Sequence, residues 1–490
     1  MPVAERPRTI APRPAATRRG APAATRPPLA VVVLLPVALA LALGLWGLRR
    51  QGGMWRDEAA TYEMAHRSLP GLLRTVADYD VVHGLYYVLM HGVFAAFGDG
   101  VVALRMPSVL ATAAAAAGVA LLGRRLAGPG AGLAAGMVFP LLPDVQRYAQ
   151  EGRSYALVCA GVVWATLLLL RAVEARRTGA WAAYAAVALG VCLLHEFAVL
   201  AVLAHGVGLL AARVRRGVLR AWGVAAGCVG AGLAPLAVIS IGQAKLVDWI
   251  GGPGAGTYMG LAAVAGLGLG CAAVAGRPVA PVALPLLLVP KAALLLLSAV
   301  KPLYVERYVL YSYSALALLL GAAAQALWRR RGPVRWYAAV AGVVAAVVLV
   351  GPVRQHVCAP ERRVDDLASI AAAVRAHAEP GDGVLFTPAS RRIWMRPEAP
   401  AYDGLTDLAQ DADPSASHSL YGTELPPQAI RARILAARRI LVLHDPAGSS
   451  LSRGAGERVK RAALRAHFEV CASTEAQGGR VTVYARPGAC

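Results

Sequence analysis

The sequence has few charged residues, and this shortage excludes most soluble classes of protein. Of its 490 residues, 16% are charged and 57% are hydrophobic, whereas a soluble globular chain is roughly a quarter charged. Acidic residues are scarcest, with 28 against 50 basic ones. The chain is too apolar to be disordered and has no collagen or coiled-coil repeat. It is therefore not a single soluble enzyme.

Lysine and cysteine are also sparse. Only 4 of the 50 basic residues are lysines, and the arginine, alanine and glycine bias indicates a GC-rich bacterial genome. The seven cysteines form no Cys-x-x-Cys pair, which excludes the common zinc motifs. Cys358, Cys471 and Cys490 lie in the polar C-terminal part. Outside the cytoplasm Cys358 and Cys471 form a disulfide or remain free thiols, and the sequence leaves both open.

Apolar runs near 20 residues dominate the rest and predict an α-helical polytopic membrane protein. We expect about 11 transmembrane helices, with the 279–299 helix interrupted by Pro285 and Pro290. A cleaved signal peptide is the rival interpretation of the first run. The predicted spans are 29–48, 101–122, 130–146, 154–171, 180–195, 197–212, 219–241, 257–276, 279–299, 308–327 and 336–353.

The polar connections alternate in charge sign, which predicts the orientation. One set, with the N-terminal tail, holds 20 basic residues and the two acids Glu5 and Glu174, while the alternate set holds most of the other acids before residue 354. Short basic loops stay cytoplasmic. We therefore expect a multi-pass protein of the bacterial plasma membrane with a cytoplasmic N-terminus and an extracytoplasmic C-terminal domain.

Three parts follow from this pattern. Residues 1–28 are rich in proline and arginine and read as a disordered cytoplasmic tail. Residues 29–353 form the transmembrane domain, with 49–100 as its longest outer loop. Residues 354–490 have no apolar span and predict a small extracytoplasmic α/β domain. Its expected strands are 384–387, 440–444 and 481–484, and its expected helices are 429–437 and 458–468.

The outer loop opens with two adjacent carboxylates, Asp57 and Glu58, after Trp55 and Arg56. At membrane-surface depth, low dielectric and a nearby arginine shift a carboxyl pKa in opposite directions, and such a balance can tune a general base. The alternative is that the two acids merely begin a surface helix, where the helix dipole favours them.

Farther along the loop, His83, Tyr87 and His91 share one face if the segment is helical from residue 80. Residues 84–98 are short and aromatic, which suits an interfacial helix. We predict no metal site and no cofactor; a divalent cation between the two histidines is the weaker alternative, because they are two turns apart. Polar capping of the loop explains them equally simply.

The other outer connections each place ionisable groups close to the bilayer, where they are costly and often functional. Snorkelling at a span end is the simpler explanation of any one arginine. Together, carboxylates and several arginines suit a lipid-borne phosphate donor, since guanidinium groups bind phosphate and can stabilise a departing phosphate. The candidate residues are Arg105, Glu151, Arg153, His195, Glu196, Arg307 and Tyr308.

These segments resemble the bacterial GT-C glycosyltransferases, and most of all the family-39 group that is related to protein O-mannosyltransferases and aminoarabinose transferases. The similar segments, in chain order, are WRDEAATY, VVHGLYYVLMH, LRMPSVL, QEGRSYAL, LLHEF and VERYVLYSYSAL. The similarity covers roughly residues 29–330. Two departures are Gly84, where the family often has proline, and Ser154, where it usually has methionine.

The resemblance implies a GT-C fold and transfer of a sugar, such as mannose or another hexose, from a polyprenyl-phosphate donor to an unknown outer-face acceptor, with inversion. It implies Asp57 as the general base, with Glu58 beside it. It also implies Arg105, Arg153 and Arg307 as contacts of the donor phosphate. His83, Tyr87, Glu151, His195, Glu196 and Tyr308 are the candidate substrate contacts.

Two other functions are compatible with the sequence. A lipid-linked sugar flippase would also show polar groups along a path, although transporters place them near the midplane. A non-enzymatic envelope assembly protein would act through the C-terminal domain. That domain carries 18 basic and 15 acidic residues, a balance that gives no case for nucleic-acid binding.

Overall fold

The fold was established from a computed structural model. It describes residues 27–48, 52–330, 359, 363–449 and 452–490. Most of the predicted N-terminal tail, the predicted span 336–353 and Cys358 lie outside these ranges.

The predicted polytopic helical fold is confirmed. Six described helices are long and apolar enough to cross a membrane, and the other predicted spans among the described residues are helical but shorter. The helices before the C-terminal domain are α1 (Leu29–Gly47), α2 (Arg56–Ala65), α3 (Leu69–Asp78), α4 (Gly84–Phe97), α5 (Val101–Ala127), α6 (Pro129–Val138), α7 (Pro143–Ala149), α8 (Tyr155–Ala175), α9 (Thr178–Leu194), α10 (Val199–Ala211), α11 (Arg216–Gly242), α12 (Ala255–Ala275), α13 (Ala280–Ser298) and α14 (Ser312–Trp328).

Prolines act differently in two of the predicted spans. The span expected at 130–146 is divided into α6, a 3₁₀ turn (Phe139–Leu141) and α7, because Pro140 and Pro143 lack the N–H that would continue the helix. In contrast, α13 continues through Pro285 and Pro290, so the predicted interruption is wrong. Neighbouring helices in a bundle can compensate for the lost hydrogen bonds.

Small residues bring the central helices into backbone contact. A Cβ atom at Gly321 of α14 would lie only 2.5 Å from the backbone nitrogen of Ala135 in α6. Close approach through small residues is the usual way in which membrane helices pack, because burial in lipid supplies no hydrophobic driving force.

The C-terminal domain is the small α/β unit that the sequence predicts. Its strands are β1 (Gly383–Thr387), β2 (Thr406–Asp407), β3 (Arg439–His444), β4 (Glu469–Ala476) and β5 (Gly479–Ala485), and its helices are α15 (Leu367–His377), α16 (Pro427–Ala436) and α17 (Ala455–His467). The strand order is β2-β1-β3-β5-β4. Strands β1, β2 and β3 are mutually parallel where they pair, and β5 is antiparallel to both β3 and β4. Helix α15 packs on one face of the sheet, while α16 and α17 pack on the other.

A disulfide joins Cys471 of β4 to Cys490. The expected alternative that pairs Cys471 with Cys358 is therefore wrong. The two cysteines are 19 residues apart, and the antiparallel pairing of β4 with β5 brings the end of the described chain back towards β4.

Candidate active site

The two acids predicted at the start of the outer loop occupy different environments. Both lie in the first turn of α2. The Asp57 side chain is 25% exposed, whereas the Glu58 side chain is fully buried. Consecutive residues on a helix point about 100° apart, so one carboxylate faces the interior and the other faces an open space. Of the two carboxylates, only that of Asp57 is accessible.

Glu58 is held by two arginines and one backbone amide. Its two oxygens accept hydrogen bonds from Nε and Nη2 of Arg105, each at 2.8 Å. Arg363 donates from Nη1 at 3.0 Å and the Gly152 amide donates at 2.8 Å. Burial alone would raise the pKa of Glu58, but Arg105 and Arg363 outweigh it and lower the pKa to about 2. Glu58 is thus a charged structural clamp, and the geometry argues against the catalytic role expected for it.

Arg105 is equally occupied. Besides Glu58, it donates to the backbone oxygens of Leu48 at 3.0 Å and Gly53 at 2.8 Å. Its side chain is fully buried. These bonds use four of its five N–H donors, so we infer a structural role for Arg105 in place of the expected phosphate contact. Arg105 instead joins the end of α1 to the start of α2.

Arg307 lies beside Asp57, as expected. Its Nη2 atom is 3.4 Å from Oδ2 of Asp57. The guanidinium carbon is 5.5 to 5.9 Å from four aromatic ring centroids, those of Trp55, Tyr155, Trp249 and Tyr308. Its Nε atom is buried and makes no hydrogen bond within the described ranges. The aromatic cage holds the cation and leaves donors free for an anionic ligand.

Arg153 supports the first turn of α2 by a hydrogen bond to its backbone. Its Nη1 atom donates to the backbone oxygen of Asp57 at 3.1 Å, and its Nη2 atom lies 2.8 Å from Nε2 of His83. His83 Nδ1 lies 2.8 Å from Oδ1 of Asp80, and Tyr87 donates to the other oxygen of that carboxylate. Burial and Arg153 lower the pKa of His83, so its ring is neutral. The neutral ring accepts a hydrogen bond from Arg153 at Nε2 and donates one to Asp80 from Nδ1.

The expected common face of His83, Tyr87 and His91 does not form. His83 belongs to a 3₁₀ turn (Val81–His83), and α4 begins only at Gly84. His91 therefore points elsewhere, with Nδ1 2.9 Å from the backbone oxygen of Ala65. The structure brings His83 and Tyr87 together through Asp80, which was not among the predicted site residues.

Glu151 is a buried acid near the Asp57–Arg307 pair. Its Oε1 atom has no hydrogen-bond partner among the described residues. Burial, opposed in part by Arg307, raises the pKa of Glu151 to about 7. The group can therefore be neutral or charged near physiological pH, depending on small changes around it.

The remaining candidates divide into two groups. His195 and Tyr308 pack against each other with ring centroids 4.7 Å apart, and the ring of His195 is 5.6 Å from that of His83. They line the same interior as Arg307. Glu196 instead accepts a hydrogen bond from Ser240 of α11 at 3.1 Å, so it is not among the Asp57 contacts.

Sequence reasoning missed the residues that reach the site from far along the chain. Arg363 and Asp365 contact the start of α2 across more than 300 positions, and a single sequence carries no signal for such pairs. Lys291 had a signal, because a lysine in the middle of an apolar run is costly. It lies 3% exposed in α13, with Nζ 3.6 Å from Glu306.

Part of the chain is similar to a known protein family, and most of its length is similar in fold to solved structures. A family model for dolichyl-phosphate-mannose-protein mannosyltransferase matches residues 85–240. The crystal structure of ArnT from Cupriavidus metallidurans bound to undecaprenyl phosphate has a similar fold, with a TM-score of 0.58, 15% identity and coverage of 93% of this chain and 98% of that one. Its apo form matches with a TM-score of 0.56, 15% identity and coverage of 92% and 97%. No curated protein sequence matches the chain significantly.

Proposed function

We propose that this protein is a membrane glycosyltransferase that transfers a sugar from a polyprenyl-phosphate donor to an acceptor on the outer face. The family model and the ArnT-like fold support the class of enzyme. The undecaprenyl phosphate named with the ArnT structure supports the class of donor. The transferred unit we propose is a hexose, with mannose first because of the matched family's description.

One observation carries the assignment of the chemistry, namely the open Asp57 carboxylate 3.4 Å from the caged guanidinium of Arg307. A transferase of this kind needs a base for the acceptor hydroxyl and a cation for the departing phosphate. Asp57 supplies the base, Arg307 supplies the cation, and the two side chains are in contact. The neighbouring acid cannot replace Asp57, since Glu58 is fully buried and bonded.

In the proposed reaction, Asp57 accepts the proton of the acceptor hydroxyl as its oxygen attacks the anomeric carbon. The bond from that carbon to the phosphate oxygen breaks, and its electron pair leaves with the polyprenyl phosphate. This single displacement inverts the anomeric carbon. The leaving phosphate is a stable anion, so no general acid is needed, and Arg307 stabilises its charge. Arg153 acts by holding the backbone of Asp57, with His83 and Tyr87 behind it.

The proposed location is the plasma membrane, with the site on the extracytoplasmic face. The alternation of basic and acidic connections supports this orientation. The C-terminal domain docks on the loop that carries Asp57, as in the hydrogen bond from the Leu367 amide to the Met54 oxygen. We therefore place both on the same side of the bilayer.

The function can be tested by comparing envelope glycans of a deletion strain with those of strains complemented by wild type, Asp57→Asn or Asp99→Asn. Asp99 is a matched control, because it is an exposed acid on the same outer connection that contacts His66 and Tyr62. We expect the deletion and Asp57→Asn strains to lack one hexose mass, while wild type and Asp99→Asn restore it. Restoration by Asp57→Asn would remove the base assignment, and unchanged glycans together with lost lipid-linked sugar flipping would indicate a transporter.

A further inference from the structure

The C-terminal domain contains a cavity of its own, with a volume of about 210 Å³. It opens at the carboxyl ends of the parallel strands β1 and β3, where Thr387 and His444 form part of its wall. The chain passes from β1 to β2 on one side and then to β3 on the other side of β1. Strands β1 and β3 are thus neighbours at the point where the strand order reverses direction. Open α/β sheets bind ligands at such a point.

One face of α17 lines this cavity with charged side chains. Glu457, Arg461 and Arg465 are spaced four residues apart and so lie on the same side of the helix. Strand β5 adds Arg480 from the adjacent wall. Three guanidinium groups therefore surround a space about the size of a single sugar ring.

The acids in the wall are already paired, and of its three arginines only Arg480 has an acidic partner among the described residues, Glu475 at 3.6 Å. Asp445 is paired with Arg391, and Glu457 accepts from Nζ of Lys460 at 2.9 Å. Arg465 makes no hydrogen bond or ion pair within the described part of the chain, and it is exposed at the mouth. The net positive wall favours an anion, and guanidinium groups bind carboxylate and phosphate through paired donors.

One further group in the wall, Glu457, is suited to a hydroxyl. Glu457 is 6% exposed, and its Oε2 atom is buried without a hydrogen-bond partner among the described residues. An unsatisfied buried oxygen of this kind calls for a donor. His444 already uses both ring nitrogens, with Nε2 2.8 Å from Oγ1 of Thr482 and Nδ1 3.2 Å from Nη2 of Arg480, so it orients Arg480 in the wall.

We propose that this cavity binds an anionic monosaccharide, a sugar that carries a carboxylate or a phosphate. Arg461, Arg465 and Arg480 hold the anion, and Glu457 accepts from a ring hydroxyl. The volume is below the roughly 300 Å³ of sites for drug-sized ligands and suits a single ring. The choice of a sugar over another hydroxylated anion rests on the proposed glycosyltransferase function.

The position of the cavity connects it to the active site. Arg391 joins Asp445 in the cavity wall and lies 5.1 Å from the ring centroid of Trp394. Trp394 donates to Asp365 at 3.1 Å, and Asp365 binds Arg56 beside Asp57. These contacts thus link the cavity wall, on the α17 side of the sheet, to the start of α2, and the bound sugar would be a second anchoring point for a glycan acceptor.

Calorimetric titration of the full-length protein in nanodiscs tests the proposal. The probes are glucuronate, glucose 6-phosphate, neutral glucose and inorganic phosphate. The variants are the double variant Arg461→Gln/Arg465→Gln and, as a matched control, Arg458→Gln, an exposed arginine of the same helix outside the cavity lining. We expect at least one anionic sugar to bind saturably, with affinity reduced at least tenfold in the double variant and unchanged within twofold in Arg458→Gln.

The outcomes separate the cavity from the catalytic site. Saturable binding that survives in Asp57→Asn, which we expect to be inactive, supports a distinct site, and the sugar that binds tells whether the anion is a carboxylate or a phosphate. The proposal fails if neither anionic sugar saturates, if the double variant binds as well as wild type, or if glucose or inorganic phosphate alone binds as tightly. Loss of transfer in Asp57→Asn with no binding anywhere would overturn the cavity and leave the proposed function intact.

Discussion

Asp365 caps the helix that carries Asp57, although 309 positions separate it from the capped residue. Its Oδ1 atom accepts the backbone N–H of Arg56, the first residue of α2, at 3.0 Å, and its Oδ2 atom accepts from Nε of the same arginine at 2.9 Å. The residue at the usual capping position, Trp55, supplies no side-chain hydrogen bond. The C-terminal domain therefore provides what a local serine or aspartate normally provides.

This contact predicts that Asp365→Asn lowers turnover without weakening substrate binding. Loss of the charge-assisted bonds, worth about 1.5–3 kcal/mol each, frees the first turn of α2 and displaces Asp57. We expect kcat to fall at least tenfold while KM stays within twofold. Asp382→Asn is the matched control, because it removes a buried ion pair with Arg439 in the same domain away from α2. Equal losses of kcat in both variants would mean that the effect is only general destabilisation.

Two of the three arginines predicted to bind phosphate, Arg105 and Arg307, should behave oppositely when each is replaced by alanine. Arg307→Ala removes a guanidinium group that has hydrogen-bond donors to spare. We therefore expect the affinity for the lipid-phosphate sugar donor to fall about 10- to 150-fold, the equivalent of 1.5–3 kcal/mol, with little change in Tm. Arg105→Ala leaves Glu58 buried and short of its partner, which typically costs about 3–5 kcal/mol of stability. Donor binding and thermal unfolding in detergent measure the two effects.

Arg74→Ala serves as the control for this pair, since Arg74 is an exposed arginine of α3 on the same loop. It should change neither quantity. If Arg105→Ala weakened donor binding while Tm stayed constant, the structural interpretation of Arg105 would be wrong.

The raised pKa of Glu151 predicts a pH-dependent stability. The pKa of the Glu151 carboxyl is raised from its ordinary value of 4.5 to about 7 in the folded protein. The carboxyl therefore keeps its proton up to about pH 7. Between these values the unfolded chain holds fewer protons than the folded one, so the free energy of unfolding falls as pH rises. We expect the Tm of wild type to drop between pH 5 and 7.5 relative to Glu151→Gln, which cannot titrate.

Glu58 provides the comparison within the same site. Its pKa is lowered to about 2, so it stays charged over this whole range and contributes no slope. Parallel Tm curves for wild type and Glu151→Gln from pH 5 to 7.5 would show that Glu151 does not hold a proton there.

The disulfide predicts a stability effect confined to the C-terminal domain. Cys490→Ser removes the disulfide between cysteines that are 19 residues apart. A disulfide that closes a loop of about 15 residues adds roughly 3 kcal/mol to the free energy of unfolding, because it lowers the entropy of the unfolded chain. We expect faster proteolysis of this domain under native conditions. Cys228→Ser, at an exposed free thiol in α11, should leave the rate unchanged.

Local signals in the sequence were enough for the helices and most of the strands. The apolar runs locate the described membrane helices, and the short β-branched runs locate β1, β3 and β5, because both patterns depend on neighbours in the chain. Strands β2 and β4 and helix α15 were missed: β2 has only two residues, β4 alternates weakly in polarity, and α15 follows the acids Asp365 and Asp366, which read as loop.

The site was only partly predictable, for a physical reason. Sequence analysis correctly expected ionisable groups to gather near Asp57, and the structure places Arg153, Arg307 and Glu151 there. It could not distinguish Arg105 from Arg307, since both are arginines at outer span ends. The difference lies in the partners, Glu58 in one case and an aromatic cage in the other, and these are set by tertiary packing.

The backbone contact at Gly321 also limits how the bundle can move. Because α14 touches α6 without intervening side chains, a larger residue at this point would force the two helices apart, and Arg307 lies only five residues before α14 begins. Helices α11 and α12 are packed much less tightly, because most of their surface faces away from the bundle. If the proposed donor carries a long lipid tail, α11 and α12 are the membrane helices whose displacement would disturb the smallest share of buried surface.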